Sequence, residues 1–128
     1  MKVYKLVRRE RDKLISLFAP GKAKVQYKPH EWTEAPEWLA KNGYYLTAFK
    51  DAKDAKVYDQ IGDYELWEAE AESIVQRLPH YADSVGLFEG KIIPLGTELW
   101  PDGTVMAKRI CLTKLIEKGG RYNERNKD

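Results

Sequence analysis

The chain has 128 residues, of which 43% are hydrophobic and 33% charged, a composition typical of one globular domain with its own core. Its formal net charge of only +2 excludes the global basic field that dominates binding to long nucleic acids. A single cysteine excludes an internal disulfide, and with only two histidines it makes a poor zinc set. We therefore expect no metal site. The chain also lacks a P-loop and a GxGxxG motif, and we expect no cofactor.

The organisation of the chain predicts one ligand-binding domain over residues 1–117 and a charged tail over residues 118–128. No apolar leader follows Met1, and no apolar run approaches the length of a membrane span. We therefore expect a cytoplasmic protein with no membrane partner.

The N-terminal part predicts antiparallel strands. Apolar residues alternate over residues 2–9, a polar turn follows at residues 10–12, and strand composition resumes over residues 13–18. These two strands form a predicted hairpin. After a Pro-Gly break, residues 25–27 predict a short third strand.

Two short helices are predicted in the middle of the chain. Residues 35–43 carry a proline at the first helical position and an Asn-Gly pair at the end, which is typical of a two-turn helix. Residues 44–49 are aromatic and β-branched and predict a strand. Residues 50–61 predict a second helix, because their apolar side chains lie along one stripe.

Residues 64–78 fit either a helix or a strand. Apolar residues at helical spacing and an alternating Glu-Ala run favour the helix slightly. A strand would instead bury Trp67 with its alternate neighbours and expose the carboxylates of Glu68, Glu70 and Glu72.

The C-terminal third begins with a stretch of little periodicity. Residues 78–103 contain three prolines and four glycines, and a loop of this length in a small domain is usually functional or disordered. Phe88 and Trp100 argue against plain disorder. A tight turn at Pro101 then leads into a strand-like run that extends to Ile116.

Two adjacent cations, Lys108 and Arg109, lie inside that final apolar run. Successive strand residues point to opposite faces, so both cannot lie on the solvent side of a one-sided sheet. A desolvated cation needs an anionic partner. We therefore predict that one of them faces a pocket, a partner subunit or an anionic ligand.

The candidate catalytic groups have simpler structural explanations. Cys111 lies in an apolar strand, where a buried and inert thiol is the common outcome, although His30 or His80 is a conceivable partner. The glutamates of residues 68–72 are more typical of a solvated face than of an acid–base pair. Aromatic residues beside cations, as at Lys28, instead suit a nucleotide, whose base stacks while cations hold its phosphates.

Short motifs along residues 2–116 resemble those of small phage and prophage proteins. They are a VYKLVR opening, SLF at residues 16–18, APEWL at 35–39, GYYLT at 43–47, ELWEAE at 65–70 and MAKR at 106–109. Within that group the chain is most similar to the phage anti-Thoeris sponge proteins. These proteins bind and sequester cyclic ADP-ribose isomers made by bacterial TIR-domain immune proteins.

This resemblance implies an α+β fold, a compact antiparallel sheet with one or two short helices. It also implies that residues 64–71 form a strand, and we adopt the strand. The implied assembly is a homo-oligomer, a dimer or higher, with pockets between protomers. In the implied pocket, Phe88 stacks on the adenine while Lys28 and Arg109 clamp the pyrophosphate. Together with Lys108, these three residues are the predicted ligand-binding site.

We therefore expect a non-enzymatic phage protein that sequesters a cyclic ADP-ribose-type signal in the host cytoplasm without cleaving it. Two alternatives stay open. One is a small ADP-ribosyl-transfer or nucleotide-cleaving enzyme that uses a glutamate of residues 68–72. The other is a phage protein that blocks a host protein through its surface.

Overall fold

A computed structural model of the chain describes residues 1–16, 25–59, 62–79, 87–88, 91–92 and 100–118. Most of the loop predicted over residues 78–103 lies outside these ranges. So do the end of the second predicted strand, His80 and the tail after residue 118. The side chain of Phe88 also lies outside the described part.

The described elements are three long strands, β1, β6 and β9, together with shorter strands and two short helices. In chain order they are β1 (Lys2–Glu10), β2 (Lys13–Ser16), β3 (Gln26–Tyr27), β4 (Trp32–Glu34), α1 (Glu37–Lys41), β5 (Leu46–Phe49), α2 (Ala52–Tyr58), β6 (Glu65–Ile74), β7 (Leu87–Phe88), β8 (Lys91–Ile92) and β9 (Thr104–Glu117). Every described strand pair is antiparallel. The predicted antiparallel sheet with short helices is confirmed, although the protein is mainly β.

Four strands close the sheet into a small barrel-like ring. β1 pairs with β6, β6 with β9 and β9 with β5, while β5 returns to β1 through Phe49 opposite Tyr4. β2 and β3 continue the sheet from β1, and β4 adds to β9. A closed ring hides strand edges that would otherwise expose unpaired backbone groups.

The interior of the ring is the main core, and it combines large rings with small side chains. Four alanines from β5, β6 and β9 point into it, although alanine is not a favoured strand residue. They leave room for two buried rings, those of Tyr27 and Trp67. The other buried members of this core are Val3, Val7, Leu14, Val25, Leu46, Ile110 and Leu112.

Each helix covers a smaller apolar cluster outside the ring. The fully buried Ala55 of α2 belongs to a cluster with Leu6 and Phe49, and Leu39 of α1 to one with Met106. Apolar faces on both sides of the sheet explain why Leu6 is buried although it points away from Val7.

β6 confirms the strand adopted for residues 64–71, and the helix that periodicity favoured is wrong. Trp67 and its alternate neighbours are buried, while Glu70 and Glu72 are exposed. Pairing on both edges, with β1 and with β9, overrides the helix propensity of the Glu-Ala run.

The sequence predicted that Lys108 and Arg109 point to opposite faces of the sheet, so that both could not face solvent. This prediction is wrong, because the side of β9 that faces the core changes next to these two residues. Ala107 and Ile110 are three residues apart, yet both lie in the main core. Ser73, on the neighbouring β6 opposite this stretch, has a left-handed φ of 59°. Both cations therefore lie outside the core, Lys108 exposed and Arg109 half-buried.

Candidate functional site

The four predicted site residues occupy three parts of the structure. Lys28 is exposed in the connection between β3 and β4. Lys108 and Arg109 lie on β9, and Phe88 lies on β7, which pairs with β8 in a separate two-stranded sheet. Lys108 lies over the ring of Tyr45 and Arg109 over the ring of Trp32.

Arg109 stacks on Trp32, a contact that the sequence did not predict. The guanidinium carbon lies 4.2 Å from the centroid of the Trp32 ring. Antiparallel pairing of β4 with β9 brings them together, because it places Trp32 opposite Cys111 and Glu34 opposite Arg109. The Trp32 side chain nonetheless remains 39% exposed. Part of a large ring is thus open to solvent beside a fixed cation.

Glu72 supplies the charge partner of Arg109 from the other neighbouring strand. Its Oε2 lies 3.4 Å from Arg109 Nε, and the pairing of β6 with β9 places the two residues opposite each other. Arg109 Nε is buried and makes no hydrogen bond within the described residues, because the contact with Glu72 lies outside hydrogen-bond geometry. We call Trp32, Arg109 and Glu72 the Trp32 platform.

Lys108 has a separate aromatic neighbour. Its Nζ lies 5.6 Å from the centroid of the Tyr45 ring, and its backbone carbonyl accepts a hydrogen bond from the N–H of Ala35 at 3.1 Å. The side chain is exposed, so its charge is available to a ligand at the surface.

Cys111 lies next to the Trp32 platform but is poorly suited to attack a substrate. Burial raises the pKa of its thiol, and Glu70 raises the pKa further, while Arg109 opposes them. A thiol with a raised pKa supplies little thiolate near neutral pH. The sequence analysis expected a buried and inert thiol at Cys111, and the structure buries this residue.

The glutamates of β6 each have a cationic neighbour. Glu68 lies 3.1 Å from Lys2 Nζ, Glu70 lies 3.6 Å from the terminal amine of Met1, and Glu72 faces Arg109. The hydrogen bond with Glu68 and the charge of Glu68 raise the pKa of Lys2, and Tyr4 and Glu70 add smaller contributions in the same direction. Within the described ranges, no group of three metal-ligating side chains could hold a metal ion.

The barrel interior holds a buried amine. Lys5 points inward between Val3 and Val7 and is only 4% exposed. Its Nζ donates a hydrogen bond to the carbonyl of Thr47 at 2.5 Å and lies 5.4 Å from the centroid of the Tyr27 ring. Burial lowers the pKa of Lys5 to about 7. The alternation of residues 2–9 carried the signal for this site, since Lys5 shares its face with two valines.

A buried carboxylate lies on the same inner face and is fully engaged. Glu65 receives two hydrogen bonds from Arg9, at 2.6 and 3.1 Å, and a third from the Trp67 indole N–H at 3.0 Å. Arg9 thus binds the carboxylate through two parallel hydrogen bonds, which compensate the cost of burying a group that is only 1% exposed. The group therefore stabilises the fold around the interior.

Comparison with known proteins gives no match: no family model, no curated protein and no solved structure aligns with this chain. In the described part of the chain, neither helix has the length and apolar content needed to cross a membrane.

Proposed function

We propose that this protein binds and sequesters a cyclic ADP-ribose-type nucleotide without cleaving it, and that the Trp32 platform recognises the ligand. The observation that supports this proposal is the Arg109 guanidinium, 4.2 Å from the centroid of a ring that is itself partly exposed. An exposed indole offers a stacking surface for a purine. A guanidinium beside it offers paired donors for phosphate oxygens.

The contact between Arg109 and Glu72 is weak, so a ligand phosphate can replace Glu72 as the partner of Arg109. The side chains of Arg109 and Glu72 retain 34% and 53% of their accessible surface. Ion pairs this exposed contribute about 0–1 kcal/mol. A phosphate group that accepts hydrogen bonds from the guanidinium gains a charge-assisted contact of about 1.5–3 kcal/mol. The phosphate therefore displaces Glu72 at little cost.

Lys28, Phe88 and Lys108 complete the proposed ligand set. The Trp32 platform by itself covers only one side of a dinucleotide-sized ligand, whereas tight sites bury most of the ligand surface. We therefore propose that the protein acts as a homo-oligomer in which a second protomer closes the site. A two-fold axis then gives a pair of equivalent sites.

A retention experiment tests this function. The purified protein is incubated with a cyclic ADP-ribose isomer, separated from unbound ligand and heated, and the released material is identified by mass spectrometry. Intact ligand in the released fraction supports sequestration. A new product indicates the enzyme instead, and no retention removes the proposed ligand class.

Arg109→Gln, compared with a matched control variant, tests whether Arg109 holds the retained ligand. We expect Arg109→Gln to lower retention by about tenfold or more, which corresponds to the loss of a charge-assisted contact. Lys114→Gln removes another exposed cation of β9 and should retain ligand normally. Equal loss in both variants would indicate nonspecific charge attraction, provided that thermal melts show both to be folded.

A further inference from the structure

The buried Lys5 amine and the buried Tyr27 hydroxyl share one part of the barrel interior, since the amine lies over the Tyr27 ring. Lys5 is 4% exposed and Tyr27 is 2% exposed. Neither residue belongs to the Trp32 platform, so any role for this pair is separate from the proposed nucleotide site.

The hydrogen-bonding capacity of the pair is largely unused. A lysine ammonium has three donors, and here one of them reaches the carbonyl of Thr47. The Tyr27 hydroxyl has no hydrogen-bond partner in the described structure. Buried polar groups almost always have a partner, and a hydroxyl left without one calls for an explanation.

No protein anion compensates the Lys5 charge within the described residues. On the inner faces of the strands, the other titratable or charged groups are Arg9 of β1, Tyr27 of β3 and Glu65 of β6. Glu65 is held by Arg9 and by Trp67. The buried residues that β5 and β9 contribute to the main core are apolar, namely Leu46, Ala48, Ala107, Ile110 and Leu112.

We propose that the barrel interior binds one small monovalent anion, of the size of chloride or formate, between the Lys5 ammonium and the Tyr27 hydroxyl. Such an anion accepts a hydrogen bond from each group and neutralises the buried charge. A water molecule would satisfy the hydroxyl but would leave the ammonium uncompensated.

Anion binding at this site is coupled to protonation. Burial lowers the pKa of Lys5 to about 7, and an anion bound beside the amine would raise that pKa by favouring the ammonium. Burial also raises the pKa of Tyr27, which keeps its hydroxyl protonated and able to donate. The anion therefore binds more tightly at pH 6 than at pH 9.

Thermal melts of the full chain at fixed ionic strength test the site. Sodium chloride or sodium formate replaces sodium gluconate, whose anion is too large for a barrel interior. At pH 6 we expect the small anions to raise the melting temperature, by roughly 5 °C at ten times the dissociation constant. At pH 9 the rise should be absent. No difference between the small anions and gluconate at pH 6 would overturn the proposal.

Variants separate the interior site from ion effects at the surface. Lys5→Met and Tyr27→Phe should lose the response to chloride and formate, while Lys2→Met, which removes an exposed lysine from the same strand, should keep it. A full response in either Lys5→Met or Tyr27→Phe would overturn the proposal.

Calorimetry of the unmodified protein gives a second measurement that does not depend on the folding of a variant. Titration with sodium formate at pH 8, in two buffers of different ionisation enthalpy, should show proton uptake on binding. Binding without proton uptake, or no binding, would contradict a site at Lys5.

Discussion

Lys5 gives the fold a strong and specific dependence on pH. Burial lowers the pKa of this lysine from its ordinary value of 10.5 to about 7 in the folded protein. The folded state therefore prefers the neutral amine, while the unfolded chain is protonated up to about pH 10.5. Between these values the unfolded state binds more protons, so the free energy of unfolding rises with pH.

The size of the effect follows from the two pKa values. A difference of about 3.5 units corresponds to about 5 kcal/mol, with a slope of up to about 1.4 kcal/mol per pH unit inside the window. Below pH 7 the full penalty for a charged and buried amine applies. Above about pH 10.5 it has vanished, because the amine is neutral in both states.

Lys5→Met removes the titrating group and keeps a flexible side chain of similar length. At pH 6 to 7 we expect this variant to be about 2–4 kcal/mol more stable than the unmodified protein. The gain is below the full penalty, because the hydrogen bond to Thr47 and the contact with the Tyr27 ring are also lost. Near pH 10 the gain should fall to zero or below, because the penalty has almost vanished while the hydrogen bond to Thr47 is still lost.

Urea denaturation from pH 6 to pH 10 in sodium gluconate measures this difference without a small anion at the site. The two curves of unfolding free energy against pH should converge as pH rises. Lys2→Met is the control, since Lys2 is exposed and its substitution leaves the slope between pH 7 and 10 in place. Parallel curves for Lys5→Met and the unmodified protein would refute a buried amine with a lowered pKa.

Three further predictions concern other contacts. Gly103→Ala should destabilise the fold more than Gly43→Ala in chemical denaturation. Both glycines have a left-handed φ, but only at Gly103 would an added Cβ meet the Asp54 carboxylate. Adding Asp54→Ala to Gly103→Ala should therefore recover part of the lost stability. Arg9→Met should cost about 3–5 kcal/mol in the same assay by leaving Glu65 buried without its ion pair, whereas the exposed Arg8→Met should cost much less, and equal costs would contradict the burial argument. Trp32→Ala and Phe88→Ala should each weaken nucleotide binding by about 1–3 kcal/mol if both rings stack on the ligand, and a titration in which Trp32→Ala binds normally would remove the Trp32 platform from the site.

The strands of the N-terminal half could be read from the sequence because their signals are local. Alternation predicted β1, strand composition and a polar turn predicted the hairpin with β2, and the proline and Asn-Gly pair marked α1. The same alternation also placed Lys5 beside Val3 and Val7. The burial of its amine is thus a consequence of a pattern that the sequence shows plainly.

The parts that could not be predicted depend on contacts between distant segments. β6 is a strand because two neighbouring strands pair with it, although its own Glu-Ala run favours a helix. β4 has only three residues and no alternation, so its pairing with β9 has no local signal. The stacking of Arg109 on Trp32 follows from that pairing, and Glu72 reaches Arg109 through the pairing of β6.

The most direct test of the proposed function is a calorimetric titration of Glu72→Gln with a cyclic ADP-ribose isomer. If the ligand phosphates displace Glu72 from Arg109, the neutral variant should bind more tightly than the unmodified protein, by up to about fivefold. The gain should disappear when Arg109→Gln is added. Weaker binding by Glu72→Gln, or no binding by any of the three proteins, would contradict a phosphate clamp on the Trp32 platform.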